Sequence, residues 1–192
     1  MARTKGFDPD AAVDAAMDVF WSNGYAGTTP QQLVDALGIG RGSLYNAFTS
    51  KHALYERALR RYHERETARL IEILDGHGPA RERIKAAVDL VLAASLDDEE
   101  RRGCMVTNAA IEFGGKDEIV GHLVRRALDR QHAALKSTIE EGQRAGEIDR
   151  EADAGALAAF FLTTFNGIRV LAKADPDPAR LSSLAETALR LL

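Results

Sequence analysis

The chain has a single cysteine, Cys104, among 192 residues. One cysteine excludes an intramolecular disulfide framework and fits a reducing cytoplasm. There is no Gly-x-Gly-x-x-Gly, no Gly-Lys-Ser/Thr and no Gly-x-Ser-x-Gly in the chain. These absences remove the phosphate-loop and nucleophile-elbow chemistries. The five histidines are His52, His63, His77, His122 and His132. None forms a His-x-x-x-His pair or a Cys/His cluster at metal-ligand spacing, so no metal is expected. Serines and aspartates fall into no recognisable catalytic set. The expectation is a protein that is not an enzyme and needs no cofactor. Long apolar runs are also missing. The most apolar stretch, Ala154 to Ile168, holds two threonines and an asparagine and lies between Asp153 and Arg169. It is too short and too polar to span a bilayer. MARTKGFDPD lacks a signal-peptide core, and no membrane partner is expected.

Strand-like alternation is absent as well, and apolar residues recur at three- and four-residue spacing. The fold class read from this is all-α, with about nine helices. Asp8-Pro9 starts the first, and Asn23-Gly24 stops it. Thr29-Pro30 repeats the start signal, and Gly38 ends helix 2. A short helix follows from about Gly40 to Ala47. Ser50 caps a long helix 4, running to about Leu74. Asp75-Gly76-His77-Gly78-Pro79 is the clearest break. The remaining helices are expected at about 79–96, 103–113, 116–145, 151–174 and 178–192. Two domains follow: residues 1–50 as a three-helix unit and 51–192 as a larger helical domain. Helix 4 joins them.

The net charge is −4, which counts against nucleic acid until its distribution is read. Residues 1–60 carry six bases (Arg3, Lys5, Arg41, Lys51, Arg57, Arg60) and six acids (Asp8, Asp10, Asp14, Asp18, Asp35, Glu56). The whole deficit therefore lies beyond residue 60. No acid occurs from Ala36 to Tyr55. That window holds two short helices joined at Gly38 and the start of a third, a helix-turn-helix layout. Leu33, Leu37, Ile39 and Leu44 would brace it from inside. Arg41 suits a guanine edge, and Ser43 and Asn46 suit bases or phosphates. Tyr45 and Thr29 offer hydroxyls to phosphate oxygens. Gly42 lies on the same short helix. A cation in the first turn of a helix does not help the dipole, so a phosphate partner is expected for Lys51. Arg3 and Lys5 form a loose basic arm.

Gly38, Leu44-Tyr45, Phe48 and Lys51, with Gly24-Tyr25 and Thr28-Thr29 before them, stand in a register that resembles the N-terminal domain of the TetR (TetR/AcrR) family of bacterial transcriptional regulators. The match covers about residues 7–60. The resemblance implies a cytoplasmic DNA-binding regulator, a homodimer on a palindromic double-stranded operator. It also implies repression relieved by a small-molecule effector that enters a pocket among helices 4 to 7. Two positions depart from the family pattern. Gly40 stands where many members have a capping serine, and Ala47 where many have a phosphate-contacting tyrosine or histidine.

Beyond residue 60, Cys104 follows Arg101-Arg102-Gly103 at a helix start, which suits either a stabilised thiolate or, as is usual for a free cysteine, a small buried side chain. Cys104, Met105, Asn108, Phe113 and His122 are the candidate lining of the effector pocket. Helix 8 is apolar almost all round and demands burial on every side. Leu157, Phe161, Phe165, Leu181, Leu184 and Ala188 are the candidate dimer interface, closing a four-helix bundle across a two-fold axis.

Overall fold

The start signals in the sequence are occupied as caps in the structure, a computed structural model describing residues 8–192. Asp8 accepts a hydrogen bond from the Asp10 N–H at 2.9 Å and opens α1 (Pro9–Gly27). Thr29 and Gln32 form a reciprocal capping box at the start of α2 (Pro30–Leu37). Gly38 ends α2 in the left-handed conformation, φ 62°, which glycine adopts without steric cost. Gly40 precedes α3 (Arg41–Phe48) with no side-chain cap. Ser50 accepts from the Ala53 N–H at 3.0 Å and starts α4 (Lys51–Leu74). The larger unit follows: α5 (Ala80–Leu96), α6 (Met105–Phe113), α7 (Glu118–Ala145), α8 (Ala154–Ala174) and α9 (Pro178–Leu189). Asp117, Asp153 and Asp177 cap the last three. The described residues thus hold nine helices and no strand.

Helices α6 and α8 begin two to three residues later than expected and α9 ends three earlier, but the largest departure is at the end of α1. Gly24 does not stop α1; it kinks it at φ 72°, ψ 174°, and one more turn runs on to Gly27. The restart has a remote cause. The Glu112 carboxylate, from α6, accepts the N–H groups of Tyr25 (2.9 Å) and Ala26 (2.6 Å), as an N-cap would.

Two hydrophobic cores divide the molecule, and their border is not at residue 50. The first joins Val13, Phe20, Leu33, Leu44 and Phe48 to Leu54, Tyr55 and Tyr62 of α4, and to Met105, Val120 and Leu123 of α6 and α7. The helix-turn-helix unit therefore shares its core with α6 and the first half of α7. The second core packs Leu70 and Leu74 of α4 against Ile84, Val88, Leu135, Ile139, Phe161, Phe165, Ile168 and Leu181. Helix α4 runs through both.

Polar groups fill the α4–α7 seam between the cores. His63 Nδ1 and Thr67 Oγ1 are 2.8 Å apart, and Gln131 Nε2 donates to the same hydroxyl at 3.4 Å. His63 Nε2 and Gln131 Oε1 are buried without a protein partner. Helix α8 is long and apolar enough, by length and composition alone, to cross a membrane. Its inner stripe, Ala158, Phe161, Phe165, Ile168 and Ala172, is instead buried in the second core.

Candidate DNA-binding surface and ligand cavity

Leu44 and Phe48 are buried on the inner side of α3, at 2% exposure each. Their four-residue spacing turns Arg41, Gly42, Ser43 and Asn46 outward, all exposed, with Tyr45 half-buried beside them. The side chains of Arg41, Ser43 and Asn46 make no hydrogen bond or ion pair within the described residues. A guanidinium, a hydroxyl and a carboxamide are thus held on a braced helix with their donors and acceptors unspent. The α3 N-terminus, uncapped at Gly40, leaves backbone N–H groups open beside them.

Two of the candidate contacts are placed differently. Lys51 Nζ donates to the carbonyls of Tyr25 and Thr28, at 2.9 Å each, and lies 4.1 Å from the centre of the Tyr25 ring. The carbonyl-rich end of α1 accounts for its position in the first turn of α4. The Thr29 hydroxyl donates to Gln32 Oε1 at 2.9 Å and accepts from the Gln32 N–H at 3.3 Å. It is first of all a helix cap. Arg3 and Lys5 lie outside the described residues.

Several clamps carry the reading unit on the larger one. Besides Glu112, the Trp21 indole N–H donates to the Gly103 carbonyl at 2.8 Å. Arg61 of α4 pairs with Asp10 at 2.6 Å and with Asp14 at 3.3 Å. His52 stands between Glu56 (2.6 Å) and Asp117 (2.5 Å), tying α4 to the cap of α7. Burial would lower the His52 pKa, but hydrogen bonds and charge from Asp117 and Glu56 outweigh it and raise the value.

The candidate pocket residues separate. Cys104 and Asn108 line a cavity of about 410 Å³ between α1, α6 and α8, with Trp21, Gly24, Glu112, Arg169 and Lys173. Met105 does not join them; it is 1% exposed in the first core. Phe113 packs against Tyr25 and Tyr55, with ring centres 5.3 and 5.4 Å away. His122 points to solvent on α7. A smaller cavity, about 160 Å³, adjoins the first and shares Trp21, Arg169 and Lys173 with it.

Arg169 is the residue that sequence reasoning missed. Its Nη1 donates to the Cys104 sulfur at 3.9 Å. None of the ion pairs among the described residues includes it. Burial works against its charge, but Cys104, Tyr62 and Glu66 nearby raise its pKa above the ordinary arginine value. The signal in the sequence was a charge breaking an otherwise apolar helix.

The candidate dimer residues also separate. Phe161, Phe165, Leu181 and Ala188 are buried within the single chain, at 0–2% exposure. Within the single chain they pack in the second core, and Ala188 also reaches the groove between α8 and α9. Leu157 and Leu184 are half-buried. The outward stripe of α8 is offset by one residue and carries Phe160 and Leu171, which are 41% and 37% exposed. Phe160, Thr163, Thr164, Gly167, Ser183 and Leu184 line an apolar groove of about 520 Å³ between α8 and α9.

Comparison with known proteins places this geometry. Residues 12–58 match the family described as bacterial regulatory proteins, tetR family. Residues 80–188 match the tetracyclin repressor-like C-terminal domain. The chain is 30% identical over 193 residues to an uncharacterised HTH-type transcriptional regulator, YezE, of Bacillus subtilis (strain 168), covering all of both chains. It is 29% identical to the HTH-type transcriptional repressor ComR of Escherichia coli (strain K12), covering 98% of this chain and 90% of that one. Among solved structures, a cysteine-substituted TetR family regulator, CifR, complexed with 26-base-pair operator DNA, superposes with a TM-score of 0.87. It is 33% identical, over 98% of each chain. The chain belongs to the TetR family of bacterial transcriptional regulators, and α1 to α3 lie largely within the segment that matches the family's N-terminal model.

Proposed function

We propose that this protein is a repressor that holds a palindromic operator as a homodimer and releases it when a small molecule enters the cavity between α1, α6 and α8. The observation that carries the reading is the unspent polar stripe of Arg41, Ser43 and Asn46 on a helix fixed by Leu44 and Phe48. In a major groove, Arg41 reads a guanine edge through two hydrogen bonds. Ser43 and Asn46 reach bases or phosphates beside it, and Gly42 lets the backbone approach closely. Tyr45 and the open α3 N-terminus position the helix on phosphates.

The dimer supplies two such helices. The apolar stripe from Phe160 to Leu171, with Leu184 of α9, is the face that a second copy would cover, building a four-helix bundle from two copies of α8 and α9. The cavity bears on DNA because its wall includes α1 itself, at Trp21 and Gly24. Its opposite wall carries Glu112, which holds the last turn of α1. A ligand that favours a shifted α6 would move α1 and α4, and with them the spacing of the two recognition helices. Release needs a difference in ligand affinity between the two states worth a few kcal/mol.

Selection of operator sequences from a random double-stranded DNA pool tests the reading. A two-fold-symmetric site is expected to be enriched. Arg41→Ala is expected to cost about 1–3 kcal/mol of affinity for it, with the fold intact. Enrichment of no sequence would overturn the proposal.

A further inference from the structure

The Arg169 guanidinium is drawn inward from α8 with a sulfur as its hydrogen-bond partner and no carboxylate within ion-pair distance. Arg169 is half-buried, and a cation partly withdrawn from water with no carboxylate in pairing distance keeps charge that a ligand can meet. Its neighbours are already committed. Arg102 lies 3.9 Å over the Trp21 ring and pairs with Asp98 at 3.3 Å. Asp98 also accepts the Gly103 N–H at 2.8 Å. Glu66 pairs with Arg69 at 3.6 Å. Glu112, the one acid lining the larger cavity, is spent on the N–H groups of Tyr25 and Ala26. Lys173 gives one N–H to the Arg102 carbonyl at 3.0 Å and keeps the rest of its donors. The larger cavity thus carries two cations and one acid, and that acid is already engaged.

We propose that this cavity takes a small organic acid, its carboxylate on Arg169 and its short apolar or aromatic body against Trp21 and Val170. The planar guanidinium fork matches a carboxylate in two parallel hydrogen bonds. One guanidinium outside any ion pair, with a single weak bond to sulfur, and one partly engaged ammonium suit a single negative charge better than a polyphosphate. The Trp21 N–H is taken by Gly103, so the indole offers the ligand apolar surface rather than a donor. A volume of about 410 Å³ admits a body of a few carbons or one ring. Asn108 gives its amide N–H to the Arg102 carbonyl at 2.8 Å, which leaves its carbonyl oxygen for a polar group at the other end of the ligand.

This rests on the reading of the cavity as the effector site, but its test is separable from DNA. Butyrate and benzoate, compared with butyramide and benzamide, are titrated calorimetrically into the full-length protein without DNA. Each pair differs in charge and hardly in shape. The acids are expected to bind about tenfold more tightly than the amides, the worth of one charged pairing. In Arg169→Gln the preference is expected to vanish, and in Arg169→Lys to persist in weaker form. Equal binding of acid and amide, no binding of either at millimolar concentration, or a preference retained in Arg169→Gln would overturn the proposal. If the glutamine variant does not fold, the comparison of acids with amides on the unaltered protein decides alone. Operator release is measured separately. Acid binding without release would leave the ligand assignment standing and refute the effector reading.

Discussion

The ammonium of Lys51 caps the end of α1 by donating to the Tyr25 and Thr28 carbonyls, and it sits against the face of the Tyr25 ring. A cation at the start of α4 opposes that helix's dipole. The carbonyls of α1 offset the conflict, so the residue joins two helices of the reading unit rather than the protein to DNA. Lys51→Met is expected to lower stability by roughly 2–3 kcal/mol, from two charge-assisted hydrogen bonds and a cation–π contact. Urea unfolding measures this. The salt dependence of operator binding is expected to stay as it was. A slope smaller by about one charge would return Lys51 to the phosphate.

Gly24 links the reading unit to the larger one by a different device. Its φ of 72° and ψ of 174° fall where residues other than glycine are strained. A Cβ there would also approach Glu112 Oε2 at 3.2 Å. Gly24→Ala is expected to cost about 1–3 kcal/mol and to loosen the Glu112 clamp. Hydrogen exchange would show faster exchange at the Tyr25 and Ala26 amides before any change elsewhere. Unchanged protection at those two amides would disprove the clamp.

Helix starts were legible because capping is local. Asp8, Thr29, Ser50 and Asp177 each act within three residues of themselves. Gly24 was misread because its partner, Glu112, is 87 residues from Tyr25 and reaches it only once α6 docks. The stripe of α3 was legible from Leu44 and Phe48, since an eight-residue helix with two core residues has one inner side. Helix α8 gave no such lead. Apolar residues run around it, and packing against α5, α7 and α9, not the pattern, decides that Phe161 faces in and Phe160 faces out. Arg169 escaped notice for the same reason. A charge in an apolar helix can snorkel to solvent or turn inward, and only the neighbouring elements decide which.

Two histidines give opposite pH dependences. The His52 pKa is raised in the fold, so its contribution is fully present below the unfolded value of about 6.5 and is lost as pH rises through the folded value. The His63 pKa is lowered, chiefly by burial and then by Arg130, with Arg126 and Arg60 adding to it. Its unfolded form binds the proton more readily, so stability falls as pH drops below about 6.5. His63→Leu is expected to flatten the acid limb of the stability–pH curve and to raise stability at low pH. It also removes a buried nitrogen that has no partner. His52→Asn is expected to remove the alkaline limb. Melting temperatures from pH 5 to pH 9 separate the two, and an unaltered acid limb in His63→Leu would refute the assignment.

Neighbouring phenylalanines on α8 have opposite assignments. Phe161 is fully buried in the second core, while Phe160 is 41% exposed on the outward stripe. Phe161→Ala is expected to cost about 3–5 kcal/mol of stability through the cavity it leaves. Phe160→Glu should leave the monomer fold intact, since Phe160 lies at the surface, outside the buried core. In the dimer, however, two copies of that carboxylate would meet across the two-fold axis without a partner, which is strongly unfavourable. Sedimentation analysis is expected to show Phe160→Glu as a folded monomer. Its operator affinity should fall steeply, because a monomer engages only one half-site. A Phe160→Glu protein that remains dimeric would place the interface on another face of the molecule.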